Sequence, residues 1–519
     1  MPFTIRQRIG LALGPVLFLA LGLTAGGLGG PARWTAAAVV WMVIWWITEP
    51  VPLWLTACIP LVVFPLCGTA ALPAVLLQYF DPINFLFLGG MMIAASMQQW
   101  GLHRRIALAI IARVGSSPAR IVLGFMLATG FISLWISNTA ATMMMFPIAM
   151  AVLLNFEETL GRNDPGLRRF GLVLMLGVAY AASIGGMGTK IGTAPNLVFV
   201  KQAEMHLGHD VDFVTWLKAG LPVVLVALPL VWLYLVRWAV PVQRTELVGN
   251  AGEVIAGARA RLGPMKAGEY VALSGFLLAA FLWILRKDID LGSITIPGWW
   301  GWVSFGWEDW IGRPIESLPA PLARLLRQDM GDAAVAMGIG IMLLLIPVSI
   351  RPLRFGLAPR QMRTLPWGML VLLGGGFAMA YGMQESGLST WLAGLLKGAD
   401  PASPLLLFIL VCLFTTALTE VASNTATANM LLPILAAASA PSFGLHPAPL
   451  MLAATLAASL GFMLPAGTPP NAIVYSSGYI TVGQMARSGV LIDLTGALFI
   501  GVLCYFLAPW ALGVTRLSP

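Results

Sequence analysis

The chain has 519 residues, of which 58% are hydrophobic and only 10% are charged. Because so few polar residues could not cover a body of this size in water, the composition excludes an ordinary soluble protein and predicts a membrane protein. The net charge of +8 does not indicate a nucleic-acid partner, because the basic residues form short clusters between apolar segments, where lysine and arginine fix membrane orientation.

Apolar segments long enough to cross a bilayer, which takes ~20 residues, recur along the whole chain. The first begins at Ile9 and ends at Thr24, behind Arg6 and Arg8. We interpret it as a spanning helix rather than a signal peptide, since no convincing cleavage site follows it. It is the first of eleven predicted spans, and the other ten cover residues 34–48, 52–68, 82–100, 170–200, 212–236, 269–285, 332–350, 366–384, 447–478 and 487–510.

Two further apolar segments, residues 118–157 and 402–440, carry the polar tripeptide Ser-Asn-Thr at their middle, at 137–139 and 423–425. A polar midpoint predicts a re-entrant helical hairpin, because backbone groups at such a tip need protein, water or a ligand as partners. With the N-terminus inside, this order puts most of the 30 basic residues in the cytoplasm, which supports the orientation. The distribution of charge does not decide between two hairpins and two full crossings, because two extra crossings return the later basic clusters to the same side of the membrane.

The two tripeptides lie 286 residues apart, and other pairs of residues share this spacing. One half of the chain therefore repeats the other. Under the predicted topology the copies run in opposite directions, as in the inverted repeats of secondary transporters, whose substrate sites lie near the membrane midplane. The other pairs include Gly89 with Gly375, Gly101 with Gly387, and Pro147 with Pro433.

A second pair of elements breaks a long apolar span in each half. The sequence Gly-Thr-x-Pro-Asn occurs at 192–196 and again at 467–471, 275 residues later. Because glycine and proline interrupt helical hydrogen bonding, we expect broken helices whose freed carbonyl groups face a cavity. Two broken helices and two hairpin tips would then converge on one centre.

The residue types at the tips suit an anion together with a small cation. Helices predicted to begin at Ala140 and Ala426 direct their N–H groups and positive dipole ends at the tips, which favours an anion. Carbonyl and hydroxyl oxygens on the other side could bind sodium. A dianion with a carboxylate at each end, such as succinate, malate or fumarate, matches this two-fold arrangement, while sulfate, citrate and 2-oxoglutarate satisfy it less specifically. The alternative is that serine and threonine only bridge packed helices.

These motifs resemble those of the divalent anion/sodium symporter (DASS) family, and within it the bacterial dicarboxylate transporters. The resemblance rests on both Ser-Asn-Thr tips, on Ala-Ser-Ile-Gly-Gly-x-Gly-Thr at 182–189, and on Phe-Met-Leu-Pro at 462–465 followed by Thr-Pro-Pro-Asn-Ala at 468–472. It covers nearly the whole chain. It implies an all-α polytopic membrane protein of the elevator type, with Na+ as the coupling ion, a homodimeric assembly and a place in the bacterial inner membrane with a cytoplasmic N-terminus.

The resemblance also implies site residues. A first sodium would lie near Ser133, Ser137, Asn138 and Gly192, and a second near Thr419, Ser423, Asn424 and Gly467. Substrate would contact Ser137, Asn138, Thr139, Ser423, Asn424, Thr425, Thr468 and Pro469. The scaffold helices would be residues 1–117 and 269–400, the transport part would be 118–240 and 401–519, and 241–268 would form a cytoplasmic connector.

Lys190 lies in the first broken helix, where a neutral residue is expected. A charged group at membrane depth is costly and is usually functional. Three interpretations stay open: Lys190 pairs with an acid such as Glu420 or Asp493, it adds a positive charge for the substrate, or it replaces the first sodium. The last would make the protein a sodium-independent dicarboxylate exchanger.

The sequence thus predicts a sodium-coupled C4-dicarboxylate transporter with an elevator mechanism, and no enzyme. A passive anion channel is disfavoured because a pore has no need of inverted repeats. An intramembrane enzyme would need a nucleophile and base, or a metal cluster, at matching depth. His206 and His209 with Asp210 are interpreted as loop residues rather than a metal site. A tryptophan cluster is interpreted as an interfacial belt, and it comprises Trp299, Trp300, Trp302, Trp307 and Trp310.

Overall fold

The structure is a computed structural model, and it describes ten stretches of the chain. Helices dominate these stretches, which confirms the predicted helical class. The cluster positions Trp302, Trp307 and Trp310, as well as His209 and Asp210, lie outside the described residues. The described stretches are residues 3–24, 28–115, 117–161, 164–207, 211–241, 251–290, 295–300, 331–395, 403–443 and 445–515.

The α-helices of the first half are α1 (Ile5–Thr24), α2 (Gly30–Thr48), α3 (Leu53–Thr56), α4 (Ile59–Leu66), α5 (Leu72–Tyr79), α6 (Pro82–Trp100), α7 (Leu102–Val114), α8 (Pro118–Ser133), α9 (Asn138–Leu160), α10 (Pro165–Gly186), α11 (Ala194–Leu207) and α12 (Phe213–Tyr234). Those that follow are α13 (Ala251–Leu262), α14 (Ala267–Ile284), α15 (Asp332–Leu345), α16 (Trp367–Glu385), α17 (Leu388–Leu395), α18 (Pro404–Thr419), α19 (Asn424–Phe443), α20 (Pro447–Ala457), α21 (Pro469–Tyr475) and α22 (Val482–Leu512).

Short irregular and extended pieces join these helices. A π-helical turn, Leu235–Ala239, continues α12, and a 3-10 helix, Pro359–Thr364, precedes α16. Two antiparallel strand pairs are present: β1 (Ile289–Asp290) with β2 (Thr295–Ile296), and β3 (Pro347–Ile350) with β4 (Leu353–Phe355).

All eleven predicted spans contain helix, but two differ from the prediction. The span 332–350 was expected to be helical throughout, whereas α15 ends at Leu345 and β3 follows. Pro347 explains this end, because proline disfavours helical backbone at the residue before it. The span 52–68 is split into α3 and α4. Seven helices of the described chain are long and apolar enough to cross a membrane, and the number of crossings stays a prediction.

Both Ser-Asn-Thr segments form helical hairpins. In the first, α8 and α9 meet at residues 134–137, and in the second α18 and α19 meet at 420–423. A serine side chain caps the second helix of each hairpin: Ala140 N donates to Ser137 Oγ at 3.4 Å, and Ala426 N donates to Ser423 Oγ at 3.2 Å. Serine is favoured at this position because its hydroxyl oxygen satisfies one of the free N–H groups of the first turn.

The two halves of the chain pack into each other rather than side by side. Helix α9 of the first hairpin packs against α21, and in the symmetric place α11 packs against α19 of the second hairpin. Helices outside the hairpins also pack across the halves, since α6 packs on α15 and α16 packs on α3 and α5. Glycine permits both close approaches: a Cβ on Gly89 would lie 2.4 Å from the Ala336 carbonyl carbon, and one on Gly375 would lie 2.2 Å from Ala57 O.

Candidate functional site

The first broken helix is α10 followed by α11, with residues 187–193 between them in turns. Asn196, which is fully buried, closes this loop. Its Nδ2 donates to Gly186 O at 2.9 Å and to Thr189 O at 2.7 Å. One side-chain amide therefore holds both the last residue of α10 and the middle of the loop.

The second broken helix, α20 followed by α21, is closed in the same way. Asn471 Nδ2 donates to Gly461 O and to Leu464 O, each at 2.9 Å, and all three positions lie 275 residues after their counterparts. These four carbonyls accept hydrogen bonds from the asparagine amides, and that they also face a cavity stays a prediction. A buried acceptor without a partner is costly, and the asparagine amides supply the partners.

The hairpin tips are joined to the broken helices by a second repeated contact. Ser133 Oγ lies 2.9 Å from Asn138 Oδ1 and 2.6 Å from Ala182 O. In the second half, Thr419 Oγ1 lies 2.9 Å from both Asn424 Oδ1 and Ala458 O. In each half a fully buried hydroxyl thus ties the tip asparagine to the broken helix beside it.

A glycine in each half lies against a cluster of oxygens, with little room for a side chain. A Cβ on Gly192 would lie 2.5 Å from Gly186 O and 3.0 Å from Ser133 O. A Cβ on Gly467 would lie 3.1 Å from Glu420 Oε2 and 3.4 Å from both Gly461 O and Leu464 O. Hard cations take oxygen ligands of this kind. The oxygens around Gly192 are neutral, whereas those around Gly467 include a carboxylate.

Two buried carboxylates, Glu420 and Asp493, hold the second loop by its backbone. Glu420 accepts hydrogen bonds from Met463 N at 2.9 Å and from Leu464 N at 3.1 Å. Asp493 accepts from Gly461 N and from Phe462 N, both at 3.1 Å. Four consecutive N–H groups therefore point at two carboxylates.

Lys190 of the first loop pairs with an acid, but with a different one from those predicted. Its Nζ lies 3.0 Å from Asp332 Oδ2, and Arg286 Nε lies 2.9 Å from Asp332 Oδ1, with all three side chains at most 3% exposed. The expected partners, Glu420 and Asp493, are occupied by the backbone of the second loop. Asp332 becomes the partner because α15 brings its first residue against the first loop.

A second lysine of the first broken helix also contacts a scaffold helix. Lys201, on α11, forms an ion pair with Asp81, the residue that caps α6. This pair is only partly buried, with side-chain exposures of 21% and 9%. Two ion pairs therefore cross from the first broken helix to helices outside the tips and loops.

A cavity of about 330 Å³ lies between the first tip and α6. This is within the range of small-molecule sites, which have volumes of about 300–1,000 Å³. Ser137 and Thr139 of the tip line it, together with Gly90, Gln98 and Ile191. Its remaining wall comes from α6 and from residues 364–366.

The structure thus groups the predicted residues by half. In the first half the Ser133 hydroxyl contacts Asn138 and the Ser133 carbonyl lies beside Gly192, whereas in the second half Thr419 contacts Asn424 and Gly467 lies beside Glu420. The predicted substrate contacts do not all share one cavity. Ser137 and Thr139 line the cavity at the first tip, whereas its lining does not include Asn138, Ser423, Asn424, Thr425, Thr468 or Pro469.

Sequence reasoning did not assign the residues that fix this geometry. Asn196 and Asn471 each follow Gly-Thr-x-Pro, and this recurrence is the sequence signal that could have identified them. Asp332 could have been suspected because it opens an otherwise apolar helix. Within the described ranges no cluster of His, Cys, Asp and Glu could hold a metal ion.

Comparison with known sequences and structures extends this description. The family model described as sodium:sulfate symporter transmembrane region matches residues 12–512. The sodium-dependent dicarboxylate transporters SdcS of Staphylococcus saprophyticus and of Staphylococcus aureus are each 38% identical to this chain, over 522 and 523 residues, which cover 100% of the chain and 94% of each relative.

Two solved structures share the fold at low sequence identity. The YdaH transporter of Alcanivorax borkumensis aligns with a TM-score of 0.52 and 15% identity over 84% of this chain and 88% of that one. MtrF of Neisseria gonorrhoeae aligns with a TM-score of 0.53 and 14% identity over 98% and 99%. At these identities the likeness concerns the fold alone.

Proposed function

The chain belongs to the sodium:sulfate symporter family, and from that premise we propose that it is a secondary transporter that moves C4-dicarboxylates across the plasma membrane together with sodium. Family membership agrees with the resemblance drawn from the motifs. The relatives compared here are transporters, so the prediction that the chain is not an enzyme is confirmed. Succinate, malate and fumarate are the proposed substrates.

The observation that carries this proposal is the repeated frame of tip and loop. Each half holds a Ser-Asn-Thr tip and an asparagine-closed loop, with 286 residues between the two tips and 275 between the two loops. Buried oxygens are also available in both halves, because Asn196 Oδ1 and Asn471 Oδ1 have no hydrogen-bond partner among the described residues. An oxygen-rich cluster in each half, neutral in the first and with a carboxylate in the second, beside two helix ends suits two cations and a dianion.

We keep the site assignment as part of the proposal. One sodium would use oxygens of Ser133, Ser137, Asn138 and Gly192, and another would use oxygens of Thr419, Ser423, Asn424 and Gly467. Glu420 Oε2 lies beside the second position and would add negative charge there. The substrate carboxylates would contact Ser137, Asn138, Thr139, Ser423, Asn424, Thr425, Thr468 and Pro469.

We further propose an elevator mechanism in a homodimer with a cytoplasmic N-terminus. Residues 118–240 and 401–519 would move as the transport part against a scaffold of 1–117 and 269–400, with 241–268 as the connector. The packing of α9 on α21 and of α11 on α19 supports one moving unit built from both halves. Its movement would have to break the pairs of Lys190 with Asp332 and of Lys201 with Asp81.

The test is uptake of labelled succinate by purified protein in liposomes. Concentrative uptake that needs an inward sodium gradient is expected. Substitution of Asn138 or Asn424 by alanine should abolish it, whereas Glu385→Gln, an exposed change at the end of α16, should leave it unchanged. Downhill flux that no gradient can concentrate would instead identify a channel.

The exchanger with Lys190 in place of a sodium is tested in the same system. Uptake that is accelerated by preloaded diacid in the absence of sodium would support it. We expect no such acceleration, because the Lys190 ammonium pairs with Asp332 at 3.0 Å. Lys190→Leu should therefore leave the number of sodium ions per succinate unchanged, as measured from the dependence of accumulation on membrane potential.

A further inference from the structure

A second cavity, of about 530 Å³, lies where α10 and α22 begin. Arg168 and Arg169 of α10 line one side, and Arg487 of α22 lines another. Its lining shares no residue with the cavity at the first tip. The remaining lining residues are Leu172, Ala239, Val240, Gly478, Tyr479, Thr481, Gln484 and Ser488.

The lining of this cavity carries positive charge. Within the described stretches none of the three arginines forms an ion pair or a side-chain hydrogen bond. Two acids lie close by without lining the cavity: Asp164 accepts from Leu167 N at 2.7 Å, and Glu157 accepts from the hydroxyl of Tyr479, a lining residue. No acidic residue lines the cavity.

The N-termini of two helices add partial positive charge near the cavity. Helix α10 begins at Pro165 and α22 begins at Val482, so two positive dipole ends lie close to the cavity. Gln484 is held by Thr481, whose Oγ1 donates to Gln484 Oε1 at 2.9 Å. The lining therefore combines three guanidinium groups with polar side chains in a space that is larger than a single ion requires.

We propose that this cavity binds a phosphate ester, a ligand distinct from the transported diacid. Guanidinium groups present paired N–H donors that match phosphate oxygens. Basic pockets between helices at the cytoplasmic end of membrane proteins bind phosphate headgroups of lipids. The phosphate belongs either to the headgroup of an anionic phospholipid or to a small soluble phosphate ester.

Binding would join the two halves of the chain. Arg168 and Arg169 belong to the first broken helix, whereas Arg487 belongs to the last helix of the second half. An anion held by all three links these helices, so bound phosphate ester raises the thermal stability of the folded protein.

The experiment measures thermal unfolding of the full-length protein in two settings. The first is a neutral detergent with increasing glycerol phosphate, and the second is nanodiscs of phosphatidylcholine with or without phosphatidylglycerol. The test variant is Arg168→Gln/Arg169→Gln/Arg487→Gln. The control is Arg104→Gln/Arg113→Gln/Arg354→Gln, which removes three exposed arginines from outside the cavity. Both variants retain the transport site, so binding of phosphate there does not separate them.

A stabilisation that the wild type and the control share, and that the test variant loses, is expected. The loss of charge-assisted hydrogen bonds should raise the ligand concentration at half-saturation by at least about tenfold, which corresponds to about 1.4 kcal/mol of binding free energy. A response to phosphatidylglycerol alone identifies the lipid as the source, and a response to glycerol phosphate identifies a soluble ester. Equal responses of test and control variants would overturn the proposal, because the effect would then be one of overall charge.

A third variant covers the case in which the glutamine variant does not fold. Arg168→Lys/Arg169→Lys/Arg487→Lys retains the charge and loses the paired donors. It should also bind more weakly than the wild type, because a single ammonium replaces each pair of N–H donors. Binding that is unchanged in this variant would show that diffuse positive charge suffices, and it would also overturn the proposal.

Discussion

The two broken-helix loops have the same hydrogen-bonded frame but opposite charge. Both are closed by an asparagine, Asn196 or Asn471, at matching positions. The first loop carries a buried lysine that pairs with Asp332 of another helix, whereas the second is held by the carboxylates of Glu420 and Asp493. The neutral residues therefore maintain the repeated geometry, and the charged residues are where the halves differ.

The largest effect is expected at Asp332, which serves the first loop only. Asp332→Asn removes the carboxylate shared by two buried cations, Lys190 and Arg286. Loss of one partner from a buried ion pair costs about 3–5 kcal/mol, so we expect a large drop in the midpoint of thermal unfolding in detergent. Asp81→Asn, at the partly exposed pair with Lys201, should cost about 1 kcal/mol or less.

Equal losses in Asp332→Asn and Asp81→Asn would contradict this account. They would show that burial does not set the strength of these pairs. A double variant, Lys190→Met/Asp332→Asn, sharpens the comparison. If the cost of Asp332→Asn comes from unneutralised positive charge, removal of one cation should restore part of the lost stability.

The second-largest effect concerns the charge of the second loop. Glu420→Gln retains the shape of the side chain but removes the negative charge beside Gly467. A hydrogen bond to a charged group is worth about 1.5–3 kcal/mol, so we expect the sodium concentration for half-maximal succinate uptake to rise about tenfold or more. The matched control is Glu385→Gln, an exposed glutamate of the same half. An unchanged sodium requirement would separate this carboxylate from the cation site.

Substitution of Asn196 and of Asn471 should loosen their loops to different extents, although the two side chains make matching hydrogen bonds. Asn196→Ala and Asn471→Ala each remove two hydrogen bonds to buried carbonyls, at a cost of about 1–3 kcal/mol. The second loop keeps its four N–H bonds to Glu420 and Asp493, whereas no carboxylate holds the first loop in this way among the described residues. Hydrogen exchange should therefore accelerate more at 186–192 in Asn196→Ala than at 461–467 in Asn471→Ala. The reverse order would contradict the comparison.

The smallest effect is a pH dependence that arises from a histidine of the first half. His103 of α7 is buried, and burial lowers its pKa below the ordinary 6.5. The folded state therefore resists protonation more than the unfolded state does, and stability should fall as the pH drops below about 6.5. His103→Ser, which copies Ser389 of the second half at the 286-residue spacing, should reduce this slope. Unfolding midpoints measured between pH 5 and pH 8, taken as a range around the ordinary pKa, give the check.

Much of the fold follows from local sequence. Long apolar runs predict the helices, and the polar midpoints at 137–139 and 423–425 predict the hairpins, because a polar break in an apolar run leaves backbone groups that need partners. The repeat also predicts which residues share an environment. The end of α15 also follows from local sequence, because Pro347 disfavours helical backbone at the residue before it.

The partners of the buried charges do not follow from local sequence. Lys190 and Asp332 are 142 residues apart, and their contact depends on how α15 packs against the first loop. The predicted partners, Glu420 and Asp493, are equally acidic, so charge alone does not distinguish the three. The sequence shows that the two asparagines recur. It does not show which backbone carbonyls accept their hydrogen bonds, because that depends on the path of the chain between the broken helices.

The crossed packing of the halves has a consequence for synthesis. Helix α9 follows the first tip directly, yet it packs against α21, Pro469–Tyr475. A chain emerging from the ribosome therefore completes its first tip long before the surface that covers α9 has been made. The first tip can reach its final surroundings only after α21 has been made, so it should mature late although it is made early.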